Sequence, residues 1–297
     1  MIRFSIIICT YNRSDYLKKV LEGVRKQEFP KSDFELVLVN NSSPDDTDDV
    51  CRNFQNENTD LNITYTKEKK QGLSFARNTG LDLSKGEWVI FIDDDAEPVK
   101  DYLKNINEFL LKHKNCIAAG GRIYPTFETS EPKWMSKFLL PLVSAIDLGN
   151  TAKKFPANKY PIGANMIFKA DVFKKIGYFN TDLGRKGDQL LGGEEKDIFM
   201  KLREISNNVF YIPNAVVYHF IPDKRLQLDF IKSMAIKIGE ANLIIFKEKG
   251  LHKLMALELF KWGASLLLFL YYFLSFNYQK GIMILKFRYW VNKGILH

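Results

Sequence analysis

Short apolar runs alternate with amphipathic stretches through the first part of this chain. Three of the runs predict buried strands, at Phe4 to Thr10, Phe34 to Val39 and Trp88 to Ile92. The stretch after the first strand carries apolar residues at the spacing of one helix face, namely Leu17, Val20, Leu21 and Val24. Repeated strand–helix–strand alternation predicts a mainly parallel sheet with helices on both faces, because each connecting helix has to lie against the sheet.

Later segments extend this pattern. Ser43-Pro44 has the chemistry of a helix start, since serine caps a helix and proline suits its first position. Further elements are predicted as helices over Leu73 to Leu83, from Pro98 onward and over Glu194 to Ile205, and as a strand over Val209 to His219 interrupted at Pro213. The proline-containing region 125–160 matches no regular pattern.

Three consecutive carboxylates, Asp93-Asp94-Asp95, directly follow the third predicted strand. Thr10 and Asn40 stand at the ends of the first two strands, and ligands of α/β sheets collect beyond such carboxyl ends. Adjacent carboxylates repel one another, and a bound cation would offset that cost. Oxygen ligands suit magnesium or manganese. The triplet therefore indicates either a metal site or a solvated acidic turn.

A second acidic cluster opens the predicted helix at Glu194-Glu195 and is preceded by Gly192-Gly193. Acids at a helix start interact with the helix dipole, so capping alone explains them. Glycines also let the backbone approach a ligand closely, which suits a base that meets an incoming hydroxyl. His219 ends an apolar stretch and is followed by Lys224 and Arg225. It is either a structural histidine or a metal ligand beside phosphate-binding cations.

Charge and cysteine content restrict the class of protein. The three cysteines are scattered, which favours a reducing compartment over disulfides or a zinc site. The start of the chain lacks a signal-peptide pattern and is predicted to be cytosolic. Of the net charge of +8, the stretch from Ile221 onward supplies nearly all, with twelve basic and five acidic residues. These charges are interleaved with apolar side chains, which favours an anionic membrane surface over nucleic acid as a partner.

Residues 262–279 form an uncharged run between Lys261 and Lys280. A run of this length is at the lower limit for spanning a bilayer. A buried core helix is the alternative. The flanking lysines and the many aromatic residues favour an interfacial or re-entrant membrane helix over both.

Metal-binding acids, a separate base and nearby cations together describe a displacement in which a phosphate-bearing group departs. At this point residues 3–222 resemble a family 2 glycosyltransferase. The resemblance rests on five ordered motifs: Ser5 to Arg13 (SIIICTYNR), Val39 to Ser43 (VNNSS), Gly72 to Gly80 (GLSFARNTG), Phe91 to Pro98 (FIDDDAEP) and Gly193 to Asp197 (GEEKD). It implies a GT-A type, Rossmann-like α/β fold with a mostly parallel sheet flanked by helices.

The resemblance also implies roles for individual residues. Donor contacts are expected from Thr10, Tyr11, Arg13, Asn40, Arg77, Asn78, Asp93 and Asp94. Asp95 and His219 are expected to hold manganese or magnesium, and Glu195 to act as the base. The acceptor is expected to contact Asn165, Gly193 and Glu194. The family often has aspartate where this chain has Asn40, and Glu-Asp where it has Glu194-Glu195, so which glutamate is the base stays open.

The expected activity is transfer of a sugar, with inversion, from a nucleotide-diphosphate sugar to a glycan or lipid-linked hydroxyl. Residues 1–222 would form the catalytic domain, and residues 223–297 a helical region for peripheral or monotopic attachment to the cytoplasmic side of the cell membrane. Two alternatives are a sugar-phosphate nucleotidyltransferase and a carbohydrate-binding protein on a degenerate transferase fold. The first needs a glycine-rich phosphate loop after the first strand, whereas this chain has no glycine before Gly23. The intact acid sets argue against the second.

Overall fold

The computed structural model describes residues 2–187 and 189–296. This part of the chain divides into two compact units. The first, the sheet unit, contains the chain up to Pro125, Ser144–Thr181 and Glu194–Phe220. The second, the helical unit, contains Thr126–Val143, Asp182–Gly193 and the chain from Ile221. The helical unit thus includes two segments that lie within the predicted residue range of the catalytic domain.

The described residues form one nine-stranded mixed sheet. Its strands are β1 (Phe4–Thr10), β2 (Phe34–Asn40), β3 (Asn62–Lys67), β4 (Trp88–Phe91), β5 (Ala96–Pro98), β6 (Ala118–Phe127), β7 (Lys153–Lys154), β8 (Met166–Lys169) and β9 (Val209–Ile221). The order is β3-β2-β1-β4-β8-β6-β9-β5, and β7 pairs with β9. Strands β1 to β4 pair in parallel, whereas β8 joins β4 and β6 antiparallel and β9 joins β5 and β7 antiparallel. The predicted α/β sheet flanked by helices is confirmed.

Helices cover both faces of the sheet. The helices that cover it are α1 (Ser14–Arg25), α2 (Thr47–Glu57), α3 (Leu73–Leu83), α4 (Tyr102–Lys112), α5 (Phe173–Ile176) and α6 (Glu194–Ile205). The helical unit contains α7 (Leu228–Lys249), α8 (Leu251–Leu274) and α9 (Tyr278–Leu296). In β1, Ile6 and Ile8 pack into the core with α1, α2 and α4, while Ile7 packs into the core with α3, α5 and α6. Burial on both faces explains why these strands are apolar at nearly every position.

The helix start predicted at Ser43-Pro44 is wrong, because α2 begins only at Thr47. The polar side chains of this loop serve α1 instead. The Ser43 hydroxyl accepts a hydrogen bond from the Asn12 backbone N–H at 3.0 Å. The Asp45 carboxylate accepts one from the Ser14 N–H at 3.2 Å, at the first residue of α1. The loop therefore binds the amino-terminal end of α1, where backbone N–H groups have no partner within their own helix.

The sheet near Pro98 and Pro213 also differs from the prediction. Pro98 belongs to β5, and the helix expected to start there, α4, begins at Tyr102. Proline is tolerated in β5 because β5 lies at the edge of the sheet. Strand β9 runs through Pro213 to Ile221 without the expected interruption. The unassigned region 125–160 contains the end of β6, the short 3-10 turn Leu140–Val143 and β7.

Three long helices account for most of the helical unit. The uncharged run 262–279 is not one helix, because α8 ends at Leu274 and α9 begins at Tyr278. The turn between them places Phe276 at φ 57. Within the described residues, α8 is long and apolar enough to cross a membrane by length and composition.

Candidate active site

The acidic triplet lies just beyond the carboxyl end of β4, where the chain enters β5. Strand β5 pairs antiparallel with β9, so that Ala96 lies opposite His219. The Asp95 carbonyl accepts a hydrogen bond from the Phe220 N–H at 2.8 Å. This pairing brings His219 Nε2 to 2.8 Å from Asp95 Oδ1. The side chains of two residues far apart in sequence meet because both lie at the same end of the sheet.

Asp93, Asp95 and His219 together form a group suited to a divalent cation. One ligand atom from each lies within 4.8 Å of the others. Asp95 and His219 are buried, while the Asp93 side chain is 30% exposed and lies open to an incoming ligand. The carboxylate oxygens suit manganese or magnesium, and a neutral imidazole nitrogen is a common metal ligand. The candidate metal group thus contains Asp93 in addition to the predicted ligands Asp95 and His219. Asp93 had been expected to contact the donor.

Arg13 offsets part of the repulsion within the triplet. Its Nη1 lies 3.2 Å from Asp94 Oδ1 and also contacts Asp95 Oδ2. Burial raises the pKa of Asp94 to about 6, the Arg13 charge opposes that rise, and the Asp95 charge adds to it. Arg13 was expected to contact the donor, and its position beside both acids leaves it at the edge of the candidate metal group.

Arg77 of α3 is the centre of the site. Its guanidinium is almost completely buried and lies 2.7 Å from Glu194 Oε1, 3.5 Å from Asp93 Oδ1 and 3.7 Å from Glu195 Oε1. The rings of Phe91 and Phe179 lie 5.9 and 5.5 Å from it, within cation–π range. Burial alone would lower the pKa of Arg77, but the surrounding carboxylates outweigh it and raise that pKa. One buried cation therefore joins the acids of the triplet to those of α6.

The two glutamates at the start of α6 have different surroundings. The Glu194 side chain is 5% exposed and is bound to Arg77. The Glu195 side chain is 23% exposed, and its Oε1 accepts a hydrogen bond from the Gly163 N–H at 2.8 Å. Burial raises the pKa of Glu195 to about 8, the Glu194 charge adds to this, and Arg77 opposes it. Glu195 is therefore the more accessible of the two acids.

Gly163 has no room for a side chain. A β-carbon at this position would overlap both Arg77 Nη2 and Glu195 Oε1. We expect Gly163→Ala to push these groups apart and to lower kcat about 100-fold, because small displacements of reacting groups cost that much. Steady-state kinetics with the donor found in the nucleotide-sugar panel proposed below measures the effect. Gly263→Ala is the control, since no atom lies within 4 Å of a β-carbon there. Equal activity of the two variants would contradict the role of Gly163.

Three asparagines predicted as ligand contacts bind the protein itself. Asn40 Oδ1 accepts from the Ser43 N–H at 2.8 Å, which shapes the turn after β2. Asn78 pairs through both amide atoms with the Phe179 backbone, at 2.9 and 3.0 Å. Asn165 is fully buried and donates to the Ala215 carbonyl at 2.9 Å. The geometry gives all three supporting roles, and their predicted ligand contacts stay predictions.

The remaining predicted residues lie where the chain enters or leaves the site. Thr10 is buried at the end of β1, and Tyr11 follows it in the turn that leads to Arg13. Gly193 has φ +101, which favours glycine, and directly precedes α6. The sequence did not indicate that Gly163 holds Glu195 or that Phe179 lies over Arg77. A glycine in an apolar stretch was the one available sequence signal for the role of Gly163, and no signal existed for the position of Phe179.

The site defines the class of this protein. An acidic group suited to a metal and a separate glutamate, on the carboxyl edge of an α/β sheet, are the groups that a metal-assisted transferase of the GT-A type requires. Residues 5–177 match the sequence profile of glycosyl transferase family 2. Because this match covers more than half of the chain, the chain belongs to that family and is a glycosyltransferase.

Curated relatives and solved structures agree with this membership. The chain is 26% identical over 232 residues to a glucosyl-dolichyl phosphate glucuronosyltransferase of Haloferax volcanii, covering 77% of this chain and 72% of the relative. It is 34% identical over 117 residues to the poly(ribitol-phosphate) beta-N-acetylglucosaminyltransferase TarS of Staphylococcus aureus, covering 39% of this chain and 20% of TarS.

Two solved structures confirm the fold. The crystal structure of S. aureus TarS with UDP-GlcNAc superposes with a TM-score of 0.59 at 23% identity, covering 80% of this chain and 66% of the other. The mannosyltransferase PcManGT of Pyrobaculum calidifontis, in complex with GDP-Man and Mn2+, gives 0.60 at 21% identity, with coverages of 83% and 64%. This chain thus spans just under two thirds of the length of either solved chain.

Proposed function

We propose that this protein is an inverting glycosyltransferase that moves a sugar from a nucleotide-diphosphate sugar to a hydroxyl of a glycan or lipid-linked acceptor. The observation that carries the proposal is the arrangement around Arg77. Asp93 of the candidate metal group and the partly exposed Glu195 both lie beside its guanidinium. A leaving-group site and a base therefore lie close enough to act on one sugar.

Glu195 is the proposed base. Its carboxylate takes the proton of the acceptor hydroxyl while the acceptor oxygen bonds to the anomeric carbon. The bond from that carbon to the diphosphate breaks, and the nucleoside diphosphate leaves with the electron pair. A pKa of about 8 suits this step, because proton transfer is most effective when the pKa of the base lies near the working pH. The Gly163 N–H holds one carboxylate oxygen of Glu195, so the other oxygen is the one proposed to face the acceptor.

The charged residues near the triplet are proposed to serve the leaving group. Asp93, Asp95 and His219 would hold manganese or magnesium. Such an ion, when bound, stabilises the charge that develops on the departing diphosphate. Arg13 contacts both Asp94 and Asp95, so it can follow the acids as they reorient towards a ligand. Thr10, Tyr11 and Arg77 are proposed to line the remainder of the donor pocket.

Relatives support the proposed substrate classes. The Haloferax relative is named for a dolichyl phosphate-linked substrate, and TarS for a poly(ribitol-phosphate) one. The solved relatives are in complex with UDP-GlcNAc and GDP-Man. These names support a nucleotide-sugar donor and a lipid-linked or polymeric acceptor. They also fit peripheral or monotopic attachment on the cytoplasmic side of a membrane, where lipid-linked acceptors are reached.

A panel of nucleotide sugars tests the class and the donor together. Each is incubated with the full chain and Mn2+, and both hydrolysis of the donor and the thermal shift are recorded. We expect one nucleotide sugar to raise the melting temperature and to be slowly hydrolysed to nucleoside diphosphate. Release of pyrophosphate from a nucleoside triphosphate and sugar phosphate would indicate a nucleotidyltransferase instead. Carbohydrate binding without hydrolysis of any donor would indicate a binding protein.

Removing the buried carboxylate of the candidate metal group tests the cofactor. We expect Asp95→Ala to lower transfer about 1000-fold, since a metal contributes several kcal/mol of charge stabilisation. The variant should also lose the rise in melting temperature that Mn2+ gives the unaltered protein. Asp171→Ala is the control. Asp171 lies two residues after Lys169, and Lys169 pairs with Trp88 at the start of β4, whereas the triplet follows the end of that strand. A Mn2+ response that survives in both Asp95→Ala and Asp95→Asn would contradict the site.

A further inference from the structure

Helix α8 has large apolar side chains on its outside and a carboxylate on its inside. Its outer face is defined by residues that are 51–76% exposed, namely Met255, Leu259, Leu266, Leu267, Leu270 and Leu274. Phe276, in the turn after the helix, is 81% exposed. The one carboxylate of α8, Glu258, is 3% exposed and faces the interior of the helical unit. Helices at a water-facing surface carry the opposite pattern.

The charges inside the helical unit are paired with one another. Glu258 Oε1 lies 2.7 Å from Lys261 Nζ, and Oε2 lies 2.9 Å from Arg288 Nη1 of α9. Arg288 is itself only 15% exposed. Removing a charge pair from water costs desolvation free energy, and leucines that stay exposed to water contribute no hydrophobic stabilisation. This distribution is favourable if the outer face meets an apolar medium.

The helices also pack through glycines. A β-carbon on Gly239 of α7 would overlap the Val291 carbonyl of α9, and one on Gly294 would overlap the Ile236 carbonyl of α7. Backbones that approach this closely through small residues are typical of helices associating in lipid, where packing rather than the hydrophobic effect holds them together. This observation is independent of the exposed leucines and favours the same environment.

We propose that the outer face of α8, with the Phe276 turn, embeds in one leaflet of an anionic lipid bilayer. This deepens the membrane attachment included in the proposed function, although it rests on the surface of the helical unit and not on the chemistry of the site. The occupant is lipid because the unit is basic and its exposed lysines, such as Lys253, Lys286 and Lys293, suit anionic headgroups.

The helix lies along the membrane and does not cross it. Contacts from Glu258 to Arg288 and from Phe269 to Gly281 show that α9 runs back along α8. Helix α9 carries Lys280, Lys286, Arg288 and Lys293 over its length. A spanning α8 would draw these charges into hydrocarbon, which is costly for each of them. An embedded outer face keeps α9 at the headgroup level.

Flotation of the full chain with vesicles tests the surface. The vesicles are phosphatidylcholine alone or an equal mixture with phosphatidylglycerol. We expect the full chain to bind the mixed vesicles tightly. Leu266→Gln combined with Leu270→Gln should weaken this binding about 100-fold, because each exchange removes one leucine that would be buried in the bilayer. Leu111→Gln with Ile205→Gln is the matched control, since these residues are 52% and 48% exposed on the sheet unit.

Three outcomes would overturn the inference. One is equal vesicle binding by the outer-face variant and the control. Another is a full chain that does not bind vesicles and sediments as a dimer, while the outer-face variant sediments as a monomer. That result would mean that a second copy of the chain covers the outer face. A third is labelling of Phe276→Cys by an impermeant maleimide trapped inside the vesicles, which would show that α8 spans. Donor hydrolysis should be unchanged in the outer-face variant, so lost vesicle binding with intact hydrolysis leaves the proposed function standing.

Discussion

Glu195→Gln should lower kcat roughly 100- to 10,000-fold, the usual contribution of a general base, while the Kd of the donor changes little. Glutamine keeps the shape of the side chain and can still accept the hydrogen bond from Gly163, but it takes no proton at neutral pH. Donor binding depends on the acids beyond β4, which this exchange does not touch. The measurement is single-turnover transfer with the donor found in the panel, together with calorimetric titration of that donor.

Two further variants sharpen this experiment. Glu204→Gln is the matched control, because Glu204 lies at the exposed end of the same helix. Glu194→Gln removes the carboxylate charge that raises the pKa of Glu195, and it frees Arg77 to pair with Glu195. Both changes lower the pKa of Glu195, so the acidic limb of the rate profile should move to lower pH. Near-normal transfer by Glu195→Gln, with loss of transfer in Glu194→Gln, would assign the base to Glu194.

Local chemistry in the sequence was enough to predict that the residues of the candidate metal group lie near one another. Apolar runs fixed where β1, β2 and β4 end, and the triplet follows the last of these. Strand ends alone indicated that Asp95 and His219 lie at the same end of the sheet, and β5–β9 pairing brings them to 2.8 Å. Their expected role as metal ligands came from the family resemblance, whereas their proximity followed from the rule that ligands gather at the carboxyl ends of the strands.

Arg77 shows where such reasoning stops. Its ion pair with Glu194 spans 117 positions along the chain and joins α3 to the first residue of α6. Nothing near Arg77 in the sequence distinguishes a buried cation from a donor contact. The same holds for Asn78 and Asn165, whose amides bind backbone groups that only the folded chain brings close.

The C-terminal region shows a different limit. Its basic, apolar composition indicated a membrane surface, but composition gives neither the break at Phe276 nor the inward direction of Glu258. Those depend on the packing of α8 against α9. Hydropathy averaged over 262–279 treats as one segment what the turn divides into two helices.

Arg77→Met should lower the free energy of unfolding by about 3–5 kcal/mol at pH 8, because it leaves carboxylates buried without their cation. Methionine keeps the apolar contacts with Phe91 and Phe179 but not the charge. The buried acids can escape the cost by taking up protons, and the pKa of Glu195, already about 8, should rise further without the guanidinium. A folded state that binds more protons than the unfolded state gains stability as pH falls. The loss should therefore be smaller at pH 5 than at pH 8.

Thermal and urea unfolding at both pH values measure this difference. Arg52→Met is the control, since Arg52 is 57% exposed and its pair with Asp48 lies on the surface, where such pairs contribute little. Arg77→Lys retains the charge but has one ammonium for three acids, and it should recover part of the stability without restoring kcat. Equal losses at pH 5 and pH 8 would mean that Arg77 acts through packing alone. A loss that is smaller at low pH would mean that the charge of Arg77 holds the acids of α6 and the triplet together, as the proposed role of Glu195 as the base requires.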